Sequence, residues 1–340
     1  MRLGVLFLLA SAPCFLLSDA VGASETSSAT AAVSGTSGTP AAPVATAAVS
    51  DRSTTSTAPV ADRTVADVSK TSTNVLIRSA RQDFEARRFA AASDKLEELL
   101  KRNLAPSQLA DVYVLLCESK LRQGDFAQAE SLVVKAKVPG GVSDEAALER
   151  LSFLKAEILY FSGDAKRAID EYISFLEDNL ESRLVNDAVE RLLLIDENMG
   201  ASPMPLAAYA RAELAQSAGM PDSALAILET ILRDSPTELI ADEALAKKAD
   251  ILREQHKFSD ALNQYRFVEV RFPQSRLVPE CKLKIAKLYA TELGEKDKAI
   301  VECEEIATGF PNTSYAVEAR SLLDRLGKGP GKGEKSARSD

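Results

Sequence analysis

Tryptophan and histidine are almost missing from this chain. Its 340 residues include no Trp, and His256 is the single histidine. Nucleophilic catalysis by Ser or Cys commonly needs a histidine as general base, so His256 is the only candidate for that role. It occupies a turn where related segments of the chain have glycine, and we interpret it as an exposed loop residue. The shortage of histidine therefore argues against an enzyme.

Cysteine is also scarce, and the four cysteines stand far apart in the sequence. A zinc site needs several Cys or His ligands at short spacing, which Cys117, Cys281 and Cys303 do not provide. Cys117 and Cys303 fall in helix-packing positions, which explains them as small apolar residues. A disulfide between Cys281 and Cys303 stays open, because antiparallel helices bring such positions together. We expect no metal and no cofactor.

An excess of positive charge is missing as well. The chain has 41 Lys and Arg against 50 Asp and Glu, which gives a formal net charge of −9. Nucleic-acid-binding surfaces and polybasic membrane patches both need an excess of Lys and Arg. The charge balance therefore excludes nucleic acid as the expected partner.

The N-terminal segment has the pattern of a secretory signal peptide. An arginine precedes the apolar stretch Val5–Leu17, and small residues lead to a cleavage site before Ser24. The stretch is too short to span a bilayer, so we interpret residues 1–23 as a signal peptide and expect no transmembrane helix after cleavage. Acylation of Cys14, as in a lipoprotein, fits poorly because a proline precedes it, but it stays open.

Two segments lack the composition of a folded domain. Residues 24–73 contain no Leu, Ile, Met, Phe or Tyr, so they cannot bury enough apolar area to offset the entropy of ordering. They are predicted to be a disordered linker rich in Ala, Ser and Thr. Residues 327–340 are rich in Gly and Lys and are predicted to be a disordered tail. The folded part is then expected at 74–326.

A short helical phrase recurs within the folded part. Gly124–Glu130 reads GDFAQAE, and Gly163–Ile169 reads GDAKRAI. Apolar residues follow the period of an α-helix, and alternating strand patterns are absent. Six such phrases contain an alanine at the equivalent place, and a small residue stands twelve or thirteen residues before each of these alanines. The alanines are Ala92, Ala129, Ala168, Ala224, Ala261 and Ala299, and the earlier residues are Ala80, Cys117, Ala156, Ala212, Ala249 and Ala286.

These paired small residues predict paired helices. A small residue in each helix lets two antiparallel helices approach closely, and Pro236, Pro273 and Pro311 then stop second helices. The longer interval between the third and fourth alanines leaves room for one extra helix near 183–198, with Leu193 in its small position. We therefore predict an all-α, right-handed α-solenoid of helix-turn-helix repeats, with about six pairs plus one extra helix.

The pattern resembles tetratricopeptide repeats (TPRs). The shared features are the Gly-Asp-aromatic turn, the small residue in each helix and the terminal proline, although the early aromatic of the first helix is missing. The Phe272-Pro273 and Phe310-Pro311 links are similar to those of bacterial envelope repeat proteins, both BamD-like and Tol–Pal-associated. The resemblance implies a non-enzymatic protein–protein interaction scaffold or adaptor in the Gram-negative cell envelope, periplasmic or outer-membrane-associated.

Residues that follow the small position of each first helix are expected to line the concave side of the array. Four of these six residues are acidic, and tyrosines stand one helical turn away. Such a surface suits a partner segment that carries Lys or Arg. The candidate partner-binding residues are Arg81, Glu118, Glu157, Tyr160, Tyr209, Glu213, Asp250 and Lys287.

Three other functions stay open at this point. In the first, the chain is an accessory component of outer-membrane protein assembly. In the second, it is an envelope enzyme with an unrecognised site. In the third, its helices assemble into a homo-oligomer. The sequence does not identify the partner or the biological process.

Overall fold

The described part of the chain is entirely helical. The computed structural model describes the backbone of residues 60–200, 203–234 and 239–327, with side chains from residue 72. All of these residues belong to the second of two units, Pro59–Asp340. They form fourteen helices and no strand: α1 Val60–Glu85, α2 Phe89–Leu100, α3 Pro106–Arg122, α4 Phe126–Ala136, α5 Glu145–Ser162, α6 Ala165–Asp178, α7 Val185–Asn198, α8 Met204–Ser217, α9 Pro221–Asp234, α10 Ala241–Glu254, α11 Phe258–Arg271, α12 Val278–Thr291, α13 Lys296–Gly309 and α14 Ser314–Arg325.

Twelve of these helices form the six predicted pairs. The first helices are α1, α3, α5, α8, α10 and α12, and each packs against the helix that follows its turn. All twelve small residues of the repeat are 0% exposed, and the Cys117 thiol donates to the Ala129 carbonyl at 3.7 Å across one pair. The close approach of paired helices and the α-solenoid of helix pairs are thus confirmed.

The turn inside each pair depends on one left-handed residue. Gly124 has φ 76°, a conformation that glycine adopts without steric cost. Asp125 then caps α4, because its carboxylate accepts from the Gln128 amide at 3.2 Å. In two pairs the left-handed residue carries a side chain, and these residues are Arg87 (φ 58°) and His256 (φ 59°). The recurring phrase therefore encodes a turn and a helix cap.

The extra helix is confirmed as α7. It packs against α6, while α5 packs directly against α8, so the first helices stack past it. The segment that leads into α7 contains Ser182, whose hydroxyl donates to Glu149 at 2.5 Å. Ser275 precedes α12 and donates to Asp242 at 2.5 Å in the same way. The repeated sequence Ser-Arg-Leu-Val thus joins a helix to the previous first helix.

A further helix, α14, follows the sixth pair and is not in the predicted count. Thr313 caps it, since its hydroxyl accepts from the Ala316 amide at 3.3 Å. Ala316, Ala319 and Leu322 are buried, and α14 packs against α12 and α13. The outward residues include Val317 and are otherwise largely polar. A terminal helix of this kind covers the apolar end of a repeat stack.

The predicted chain ends fall mostly outside the described residues. These undescribed parts include the signal peptide at 1–23 with Cys14, the linker up to residue 59 and the tail from residue 328. Pro236, inside the chain, also lies outside the described residues. The assignments of all these parts stay predictions. Helix α1 begins at Val60, so its residues 60–73 belong to the segment predicted as linker. That stretch contains no Gly or Pro that would end a helix. Within the described residues, no helix is both long and apolar enough to cross a membrane.

Candidate functional site

One groove collects most of the predicted site residues. It is a pocket of about 650 Å³ with walls from α5, α7, α8, α10, α12 and α14, and we refer to it as the groove. Five of the eight predicted residues line it, namely Glu157, Tyr209, Glu213, Asp250 and Lys287. Tyr160 is buried next to it and donates to Glu213 at 2.8 Å. Glu118 contacts the lining residue Arg150 at 2.6 Å.

A second pocket holds the remaining predicted residue, Arg81. This pocket has a volume of about 550 Å³ and lies between α1, α3 and α5. Phe84, Val114 and Leu115 are among its apolar lining residues, and we call it the apolar pocket. Arg81 forms an ion pair with Asp111 at 3.4 Å. Arg150 lines both pockets, so the two adjoin along the first helices.

Glu213 is the most strongly engaged acid of the groove. Its carboxylate lies 2.6 Å from the Arg191 guanidinium and 3.1 Å from the Lys247 ammonium. Burial alone would raise the pKa of Glu213, but the charges of Arg191 and Lys247 outweigh it and lower the pKa to about 2. Glu213 is therefore ionised at neutral pH and already holds two cations.

Arg191, which comes from the extra helix α7, joins two of the predicted acids. It contacts Glu157 at 3.3 Å as well as Glu213, and its guanidinium lies 4.1 Å from the centroid of the Tyr160 ring. Burial opposes the charged form of Arg191, but the two carboxylates keep its pKa well above the usual value. Because the guanidinium is bound on three sides, α7 is fastened to the wall of the groove.

The same spacing links three acids to three cations. Glu157 contacts Arg191, and Asp250 contacts Lys284 at 2.9 Å, in each case 34 residues further along the chain. Glu213 and Lys247 have the same separation and form the pair described above. In the pairs of Glu213 and Asp250, this offset joins neighbouring first helices, and in the pair of Glu157 it joins α5 to the extra helix α7. This offset was the signal in the sequence that would have revealed the cations.

Two tyrosines from second helices complete these pairs. The Tyr172 hydroxyl donates to Glu157, and the Tyr265 hydroxyl donates to Asp250 at 2.6 Å. Both follow their acid by 15 residues and are 0% exposed. Burial, and then the neighbouring carboxylate, raise the pKa of each phenol. The buried faces of the second helices therefore also supply hydrogen-bond donors to the groove acids.

Glu243 is a groove acid with a raised pKa. Arg276 donates to Glu243 and to Glu197 of α7, both at 2.5 Å. Burial raises the pKa of Glu243 to about 7, although Arg276 acts in the opposite direction. In the sequence analysis Glu243 was missed, because this residue does not directly follow the small position of its helix, which was the position searched for acids. Arg276 was missed as well, because the search did not cover the cations that pair with these acids.

The described histidine and cysteines lie in settings that do not favour catalysis. His256 is exposed in its turn, and its ring packs edge-on against Phe258 at 5.6 Å. Cys117, Cys281 and Cys303 are buried and free. Burial raises the pKa of Cys117 to about 12 and that of Cys303 to about 11, which disfavours the reactive thiolate. The described residues contain no cluster of three metal-binding side chains.

The sequence matches no protein-family model and no curated protein sequence. Solved structures that are similar in outline include the following three. The yeast Sti1 TPR2AB domain in complex with pHSP90 is 13% identical, covering 76% of this chain and 97% of its own, with a TM-score of 0.31. A protein from Pseudomonas aeruginosa, pilF, is 15% identical over 74% of this chain and 98% of its own, with a TM-score of 0.29. A tetratricopeptide repeat protein from Parabacteroides merdae is 18% identical over 75% of this chain and 99% of its own, with a TM-score of 0.30. The fold of this chain is shown by its own helix pairs.

Proposed function

We propose that this chain is a non-enzymatic scaffold of the cell envelope that binds a segment of a partner protein in the groove. The observation that carries the proposal is the groove itself. Six helices that are distant in sequence line one pocket of about 650 Å³, which is the size of site that takes several side chains of a ligand. Concave surfaces of stacked helix pairs serve as extended binding surfaces.

The side chains of the groove favour binding over catalysis. Six of its eight carboxylates are held by cations, as Glu213 is by Arg191 and Lys247. Glu213, with a pKa of about 2, carries no proton at neutral pH that it could exchange as a general acid. The pKa of Glu243 is about 7, but Arg276 occupies its carboxylate at 2.5 Å. His256 does not line the groove. The TPR-like pattern of the sequence supports the same conclusion.

Site-specific photocrosslinking in the native cells tests the proposal. A photoreactive residue at Lys287, on the groove wall, is expected to give an adduct of discrete mass with a partner protein. The matched control carries the same residue at Glu304, which is exposed on α13 and does not line the groove. No adduct at Lys287, or the same adducts from both positions, contradicts binding in the groove.

The envelope location rests on the signal-peptide pattern of residues 1–23 and on the resemblance to envelope repeat proteins. Cell fractionation with N-terminal sequencing checks it: we expect a mature chain that begins at Ser24 outside the cytoplasm. An unprocessed chain in the cytoplasm contradicts the proposal. Incorporation of labelled fatty acid at Cys14 favours the alternative of an outer-membrane assembly lipoprotein. Failure of the His256→Ala variant to support the cellular function of the chain favours the alternative of an envelope enzyme.

A further inference from the structure

The acids that line the groove fall into two groups. Most are held by cations: Glu157, Glu213 and Asp250 have the partners described above. Asp187 and Glu190 are different. Both line the groove and are exposed, and neither forms a hydrogen bond or an ion pair with any residue that the structure describes. The free negative charge of the groove therefore comes from α7.

Helix geometry places these two acids on the groove side of α7. Asp187, Glu190, Arg191 and Leu194 all line the groove, and their spacing of three, four and seven residues is that of one helix face. Arg191 holds this face in place through its contacts with Glu157 and Glu213. Asp187 and Glu190 thus stand on a fastened helix, with their carboxylates in solvent.

Tyr315 of α14 is a further polar residue that lines the groove. Tyr315 of α14 donates to Glu280 at 3.3 Å. Burial, then Glu280, and then the charge of Glu190 raise the pKa of Tyr315 to about 12. The negative charge of Glu190 on α7 therefore acts on Tyr315 of α14, which lines the same groove.

The overall charge of the groove has the same sign. Its lining contains eight carboxylates and six Lys or Arg residues, so with every group ionised two negative charges are left over. A concave surface of one sign attracts the opposite charge and raises its local concentration. The adjoining apolar pocket, with Phe84, Val114 and Leu115, offers a different kind of contact one helix further along.

We propose that the groove selects an extended segment of a partner protein in which Lys or Arg side chains stand next to an apolar stretch. The cations bind Asp187 and Glu190, and the apolar side chains enter the apolar pocket. Arg150, which lines both pockets, lies at the boundary between the two halves of the segment. This inference rests on the proposed function and adds the chemistry of the partner.

Selection from a displayed library of random peptides on the full-length chain tests this inference. Peptides that bind in the groove are expected to be rich in Lys or Arg next to apolar residues, and their binding is expected to weaken with salt. Asp187→Lys/Glu190→Lys should weaken binding at least about tenfold, which equals about 1.4 kcal/mol. Asp187→Asn/Glu190→Gln should give a smaller loss.

The matched control is Glu177→Lys/Asp178→Lys, which changes the same charge on exposed residues of α6 and should leave binding unchanged. Circular dichroism is expected to show the same helix content in all variants. Two results overturn the inference and leave the proposed function standing. In the first, peptides that compete with the Lys287 crosslink lack Lys and Arg. In the second, the peptides bind the Asp187→Lys/Glu190→Lys variant as well as they bind the wild type. The absence of any groove-binding peptide contradicts both.

Discussion

Replacing Arg191 with methionine tests the network that holds α7 to the groove. The arginine side chain is 17% exposed and is shared by Glu157 and Glu213. Removing one partner of a buried ion pair costs about 3–5 kcal/mol, because the other charge stays buried without compensation. Here Glu213 keeps Lys247, and Glu157 keeps the Tyr172 hydroxyl. We therefore expect a loss near the lower limit, about 3 kcal/mol in the free energy of unfolding.

Urea denaturation followed by far-ultraviolet circular dichroism measures this loss, and the absence of Trp makes the helical signal the natural probe. The control is Arg183→Met, because Arg183 is exposed just before α7. It should change the free energy of unfolding by less than about 0.5 kcal/mol. Equal losses in Arg191→Met and Arg183→Met refute the reasoning. The double variant Arg191→Met/Glu157→Gln should recover part of the loss, since Glu157 is the acid whose ion pair is with Arg191 and whose charge the single variant leaves uncompensated.

The dependence of stability on pH gives a second test of the same network. The pKa of Glu213 is lowered from 4.5 to about 2 in the folded chain, so its ionised form contributes stability above pH 4.5 that is lost as the pH falls through about 2. Without Arg191 the pKa of Glu213 rises, and this contribution shrinks. The difference in stability between wild type and Arg191→Met should therefore narrow towards low pH. A difference that stays constant with pH contradicts the assignment of the cation.

Three further predictions concern packing, turns and protonation. Ala129→Leu should cost about 1–3 kcal/mol by overpacking the contact between α3 and α4, whereas Ala127→Leu, at an exposed position of the same helix, should be nearly neutral in urea denaturation. His256→Gly should stabilise the chain by up to about 1 kcal/mol, because it relieves a left-handed residue; Arg87→Gly should gain less, since Arg87 also donates to the Gln216 carbonyl at 3.3 Å. The raised pKa of Glu243 contributes stability at low pH that is lost as the pH rises from 4.5 through about 7. A Glu243→Gln variant should lose this part of the pH dependence, and an unchanged profile contradicts it.

The repeat was readable from the sequence because packing at a helix crossing tolerates few residue types. Ala92 and Ala80 are small for the same geometrical reason, and both are 0% exposed. The extra helix was readable too, because Ser182 and Ser275 begin two equivalent segments. Helix α14 was missed, since it has no second helix and therefore no paired alanine by which to recognise it.

The charges of the groove were predicted only in part. Glu157, Glu213 and Asp250 were found from their position after the small residue, and the structure brings them to one pocket. The cations that pair with these acids were missed, because the sequence around an acid does not show which cation lies near it in space. Its cation lies a full repeat further on, as Lys284 does from Asp250. The role of these residues in partner binding stays a prediction.

The sequence by itself determined the six helix pairs, the extra helix α7 and the turns, because these depend on residues close to one another in the chain. Helix period, small crossing residues and the left-handed turn are local requirements. Only the tertiary structure decided which groove charges are neutralised and which stay free. Arg191 reaches Glu213 because α7 lies beside the stack of first helices. Asp187 and Glu190 stay open to solvent for the same reason, since electrostatic pairing depends on distances in space that the order of residues does not state.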